Sequence, residues 1–63
     1  MEAIKLGHIA KDTVTGFEGV ATARCTYLSG KDARILVENF HDGKVVEEWF
    51  DESRLVDQSA SPR

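Results

Sequence analysis

Glu47, Glu48, Asp51 and Glu52 gather four carboxylates around Trp49 and Phe50, the densest set of chemistry-bearing side chains in the sequence. Neighbouring carboxylates can move protons when a cleft raises the pKa of one of them. Beside an aromatic pair they can also accept a basic peptide or a cation. Strand alternation puts Glu47 on the face of Trp49 and Glu48 on that of Phe50, so one glutamate must lie near the buried side. Charge runs are usually solvated faces, and so small a chain seldom forms a cleft alone. The reading is a solvated strand edge, with no catalytic residue.

The other reactive groups are sparse. Cys25 is the sole cysteine. A thiol is activated by a nearby cation or a helix N-terminus, and its neighbour Arg24 falls on the opposite strand face. Cys25 therefore reads as buried and inert. His8 and His41 lie far apart, and with one cysteine they could complete a structural zinc site only by recruiting badly spaced carboxylates. No metal and no cofactor are expected. Lys5, Lys11, Arg24, Lys31 and Arg34 could form a phosphate-contacting stripe with Tyr27 as a stacking platform. Asp12, Glu18 and Asp32 interrupt it, so nucleic-acid binding is not favoured. No glycine loop leads into the Lys-Ser/Thr of a phosphate-binding loop, and there is no serine–histidine–acid arrangement.

These side chains must be positioned by strands. Thr13–Gly16 reads as a loop, with Gly16 suited to positive φ. Phe17–Leu28 follows as one long strand, rich in small and β-branched residues, with Gly19 marking a bulge or a close backbone approach. Along it Ala21, Ala23, Cys25 and Tyr27 share one face, and Val20, Thr22, Arg24, Thr26 and Leu28 the other. The first face is small and dry and is assigned to the core. The second holds Val20 and Leu28 beside Arg24, as a contact surface would.

Ser29–Asp32 is a turn centred on Gly30, and Ala33–Phe40 the next strand. Its consecutive Ile35, Leu36 and Val37 suggest burial on both faces. Asp42-Gly43 signals a tight hairpin into the return strand Lys44–Phe50. Asp51–Arg54 fits one 3-10 turn, and Leu55-Val56 a last short strand. Met1–Gly7 reads as an edge-strand lead-in with Ile4 and Leu6 alternating, continued by His8–Asp12. The expected fold is all-β: a single five-stranded SH3-like barrel over residues 1–56, with a 3-10 turn before the last strand. Residues 57–63 are small and polar and are expected to form a disordered tail.

Sixty-three residues allow one domain. A chain of this size buries only about 60% of its unfolded surface, so disulfides, a metal or oligomerisation usually reinforce it. With one cysteine and no zinc set, oligomerisation remains. No apolar run reaches the ~18 residues of a membrane span, and no signal-peptide pattern opens the sequence. Together with the unpaired thiol, this points to the cytoplasm. The net charge is −3. All of the excess acid lies beyond Arg34, which argues against broad binding to phosphate backbones.

Three segments carry a resemblance: Thr15–Arg24 (TGFEGVATAR), Tyr27-Leu28, and Trp49–Leu55 (WFDESRL). Across residues 5–56 the chain resembles small SH3-like barrel proteins encoded by phages, prophages and integron gene cassettes. Their motifs are TGF-x-G-x-x-T-A-R, an aromatic-Leu pair and WFDE-x-x-L. That group often has Gly-Cys after the aromatic-Leu pair, where this chain has Gly30-Lys31. The resemblance implies a fold and a mobile-element origin, and no activity.

The layout from Gly7 and Gly19 to Arg54-Leu55 is also similar to the type II dihydrofolate reductases, SH3-like tetramers with one pore. Their Val-Gln-Ile-Tyr segment corresponds to Val45–Trp49, VVEEW, whose two carboxylates would repel an anionic nicotinamide dinucleotide. That resemblance implies architecture only.

The function expected is a non-enzymatic, self-associating interaction module that binds a protein or peptide. Its candidate surface is Val20, Thr22, Leu28, Leu36, Trp49 and Phe50, and its candidate core is Ala21, Ala23, Cys25, Ile35, Val37 and Leu55. The alternatives are a pore-type oligomeric enzyme or small-ligand binder, and a nucleic-acid-binding barrel.

Overall fold

The computed structural model describes residues 4–58. Five strands follow in order: β1 Ile9–Asp12, β2 Glu18–Cys25, β3 Arg34–His41, β4 Lys44–Asp51 and β5 Leu55–Asp57, with a 3-10 turn at Glu52–Arg54. They form one sheet in the order β4-β3-β2-β1-β5, and every pairing is antiparallel. Among the described residues no pairing joins β4 to β5, so the sheet is all-β as expected but not closed into a barrel.

Local chemistry explains the hairpin at its far end. Asp42 and Gly43 both take positive φ, 51° and 76°. Such a pair has the primed-turn twist that matches two paired strands. His41 then faces Lys44, and the register runs without interruption to Arg34 opposite Asp51.

β2 departs from simple alternation. Its register against β3 shifts between Ala21 and Ala23: Ala21 faces Val37, and Ala23 faces Leu36. Thr22 is the extra residue of a β-bulge, which reverses the two faces of the strand beyond it. Ala21 is fully buried with Val37, whereas Arg24 now stands opposite the buried Ile35. Ala23 and Cys25 turn to the outer face beside Leu36 and Arg34. The assignment of Ala23 and Cys25 to the core is thereby corrected. Gly19 serves the other role considered for it, close backbone approach: a Cβ there would stand 2.1 Å from the Glu38 carbonyl oxygen.

The core consists of Ile4, Ala10, Ala21, Ile35, Val37, Phe50 and Leu55, with Phe17 packed against it. Phe50 on β4 and Leu55 on β5 share this cluster although their strands are the two edges of the sheet. The sheet must therefore coil around its own apolar side. The Phe17 and Phe50 rings pack with centroids 5.5 Å apart.

The ends differ from expectation. Residues 4–7 form no strand: Ile4 inserts into the core, Leu6 stays exposed, and the Gly7 N–H donates to the Ala21 carbonyl at 2.7 Å. β2 ends at Cys25, so Tyr27 and Leu28 belong to the following loop. At the C-terminal side Asp57 belongs to β5, and the Gln58 N–H donates to the Ile9 carbonyl at 2.8 Å. The disorder expected for the tail is corrected at those two positions, and residues 59–63 lie outside the described residues.

Gly19→Ala should force β2 and β3 apart, because the obstacle is backbone and cannot rotate away. The expected loss is about 1–3 kcal/mol or more in urea unfolding. An unchanged midpoint would show that the strands do not approach so closely.

Candidate functional site

Two clamps fix the coiled sheet and decide which charges remain available. In the first, the Asp12 side chain at the end of β1 is fully buried. Its Oδ2 accepts from the Thr15 N–H at 2.8 Å and the Thr15 hydroxyl at 2.6 Å, closing the loop into β2. Arg54 completes the set, donating from Nε to Oδ1 at 2.9 Å and from Nη2 to Oδ2 at 2.8 Å. This planar two-point match is the strong form of an ion pair. The Arg54 hydrogen bonds, followed by those from Thr15, hold the Asp12 carboxyl well below the usual carboxylate range against the opposing effect of burial. The Arg54 guanidinium also lies 5.5 Å from the centroid of the Phe50 ring.

The second clamp follows from the bulge. Arg24, turned inward, donates from Nη1 to Glu52 Oε1 at 2.9 Å and from Nη2 to the Ile4 carbonyl. Glu52 Oε2 accepts from the Ile4 N–H at 2.7 Å. One Arg–Glu pair thus holds both polar groups of the backbone at Ile4. The Arg24 hydrogen bond is the main cause that lowers the Glu52 pKa.

The four-carboxylate cluster is accordingly dispersed. Glu52 belongs to the second clamp, and Asp51 stands 3.4 Å from Arg34 across the β3–β4 ladder. Glu47 faces Glu38 on the outer side, and Glu48 faces Val37 on the other. No two of the four share a pocket among those described. Among the described residues no group of three or more His, Cys, Asp and Glu is placed to hold a metal ion. His8 pairs instead with Asp57 at 2.9 Å, and His41 lies beside Asp42 in the hairpin.

The outer face of the sheet is a different surface. Leu36 lies between Ala23 and Trp49 in the ladder, and Phe40 faces Val45. Val20 faces Glu38 and Ile9. Phe40 is 71% exposed, Val45 62%, Trp49 46% and Val20 37%, whereas Leu36 is half-buried. A groove of about 380 Å³ runs between Ile9, Val20, Phe40 and Val45, with Glu38 at its side. A second hollow, about 180 Å³, is lined by Cys25, Tyr27, Arg34 and Trp49. Its Tyr27 hydroxyl is held above its ordinary pKa, first by the side-chain hydrogen bond with Cys25 and next by burial. Lys31 lies 5.6 Å from the centroid of the Tyr27 ring.

The structure thus brings Val20, Leu36 and Trp49 together on one face. Thr22 sits at the bulge, exposed, its hydroxyl donating to the Leu36 carbonyl at 3.4 Å. Leu28 is fully exposed in the loop after β2. Phe50 is a correction: it is 8% exposed and part of the core, because the ladder sets it opposite Ile35. Phe40 and Val45 escaped the sequence reading, although they share the strand faces of Leu36 and Trp49 four residues away, beyond Glu38 and Glu47. The buried Asp12 escaped it as well; the Asp-x-x-Thr-Gly run that closes its turn was the available signal.

Comparison with protein-family profiles, curated proteins and solved structures returned no match for this chain. Among the described residues no helix is long and apolar enough to cross a membrane.

The clamps set a pH dependence. Asp12, Asp32 and Glu52 all have lowered pKa values in the fold. Each therefore contributes stability that is complete above the unfolded carboxylate value and is lost as pH falls through the folded one. The melting temperature should be level near neutrality and fall steadily below about pH 4. Asp12→Asn should lower it at pH 7 and flatten that acid limb. A profile identical to that of the parent would refute the clamp.

Proposed function

We propose that this chain is a non-enzymatic, self-associating interaction module with an SH3-like architecture, which binds a protein or peptide through the outer face of its sheet. The observation that carries the reading is the apolar row of Val20, Leu36, Phe40, Val45 and Trp49, which a lone molecule leaves in water. Exposed apolar surface of this kind, here crossed by the Glu38–Glu47 pair, marks an interaction site. The strand order, the coiling that joins Phe50 to Leu55, and the 3-10 turn before β5 support the SH3-like assignment.

The charge distribution fits the same reading. Arg24 and Arg54, two of the cations that could meet phosphate, are spent inside the fold on Glu52 and Asp12. A nucleic-acid stripe would have to do without them. Small size supplies the driving force for association, because burying the outer row against another molecule adds the apolar contact that a 63-residue core lacks.

Sedimentation equilibrium tests both parts. The parent protein should be oligomeric at tens of micromolar, and Val20→Asp and Leu36→Asp should each weaken association by about tenfold or more. A parent that is monomeric throughout contradicts self-association. If both variants associate as the parent does, the outer face is not a self-association surface.

A further inference from the structure

The two edges of the sheet differ in length. β5 is three residues long and ends at Asp57, which is engaged with His8. β4 is eight residues long, unbulged and without proline, and Lys44 to Trp49 are all exposed. A long, regular, exposed edge is a template for another strand.

The ladder shows which groups that edge offers. The Glu52 N–H donates to the Ala33 carbonyl at 2.8 Å. Hydrogen-bonded pairs alternate along an antiparallel ladder. The bonded pairs of β3 and β4 are therefore Ile35–Phe50, Val37–Glu48, Asn39–Val46 and His41–Lys44. The N–H and C=O groups of Val45, Glu47 and Trp49 consequently point away from β3, toward open solvent.

Side-chain order selects the occupant. On the core-side face β4 reads Lys44, Val46, Glu48, and this triplet is complementary to its own reverse. Two copies of β4 related by a two-fold axis at Val46 place Lys44 opposite Glu48 of the second copy, twice, with valine against valine between. An axis at Glu47 or at Glu48 would set a glutamate against its own mate, a repulsive pair. Among the described residues neither Lys44 nor Glu48 takes part in an ion pair.

We infer that β4 pairs antiparallel with β4 of a second copy about an axis at Val46, joining two five-stranded sheets into one of ten strands. The pairing is isologous, so it closes after two copies. Val45 and Glu47 exchange both backbone bonds with Glu47 and Val45 of the mate. The two outer faces then lie side by side on one sheet. This inference rests on the self-association proposed above and adds a contact at the sheet edge to that of the outer face.

A cysteine at the axis provides the test. Two residues facing each other in a non-hydrogen-bonded pair have Cα atoms about 4.5 Å apart, within the range that a disulfide spans. In a Cys25→Ser background, Val46→Cys should form a disulfide dimer rapidly and nearly completely under mild oxidation with diamide, whereas Glu47→Cys should not. In parallel, Lys44→Glu should weaken dimerisation by about tenfold or more, and adding Glu48→Lys to it should restore most of the loss.

A parent that associates while Val46→Cys stays uncrosslinked and the charge variants have no effect overturns the β4 interface and leaves self-association standing. Faster crosslinking by Glu47→Cys overturns the register. A monomeric parent overturns both readings. Sensitivity to the charge variants, with none to Val20→Asp or Leu36→Asp, supports the edge and removes the outer face as a self-association surface.

Discussion

The single extra residue at Thr22 governs the rest of the structure. A strand of eight residues without a bulge would keep Ala21, Ala23 and Cys25 on one face and leave Arg24 outside. With the bulge, β2 presents its first half to the core through Ala21 and its second half through Arg24. The inward arginine is what ties the backbone at Ile4 to Glu52, and Ile4 is a core residue. The outward Ala23 and Cys25 are what give Leu36 and Trp49 small neighbours across the outer face. One change of register therefore supplies both the clamp beneath the sheet and the shape of the surface above it.

A chain this short has a small apolar core, and its ion pairs carry an unusual share of the tertiary connectivity. Asp12–Arg54 joins the end of β1 to the 3-10 turn, and Arg24–Glu52 joins β2 to the same turn. Both pairs bring strands that are distant in sequence onto three consecutive residues, Glu52–Arg54. Neither charge is isolated, since Asp12 also accepts two hydrogen bonds from Thr15 and Glu52 one from the Ile4 N–H. Pairing and hydrogen bonding are what make burial of such groups tolerable. The acidity of the second half of the chain is thus partly structural, and the glutamates left over, Glu47 and Glu48, lie on the open edge of the sheet.

The elements specified by neighbouring residues were legible in the sequence. Asp42-Gly43 fixes its turn by backbone preference, and Asp51–Arg54 is too short for anything longer than a 3-10 turn, so both appear where the residue types place them. What depended on partners far along the chain was not legible. Alternation required one of Trp49 and Phe50 to be buried, and only the register that sets Phe50 opposite Ile35 chooses between them. The face reversal at Thr22 arises from pairing with β3 and leaves no mark in the composition of β2. Asp12 looked like one more surface charge because its partner, Arg54, is brought to it by the coiling of the sheet. The outer row was half visible for the same reason: Val20, Leu36 and Trp49 were assigned to a surface, whereas Phe40 and Val45 join them only once β3 and β4 are aligned.

The central claim is that β2 reverses its faces at Thr22, and nuclear Overhauser contacts of the Ala23 methyl group test it most directly. A reversal at Thr22 produces contacts from Ala23 to the Leu36 side chain and none to Ile35 or Val37, with the Ala21 methyl showing the opposite pattern. If Ala23 and Ala21 both contact Val37 or Ile35, β2 alternates without a bulge, and neither the inward Arg24 nor the outer surface described for this chain can stand.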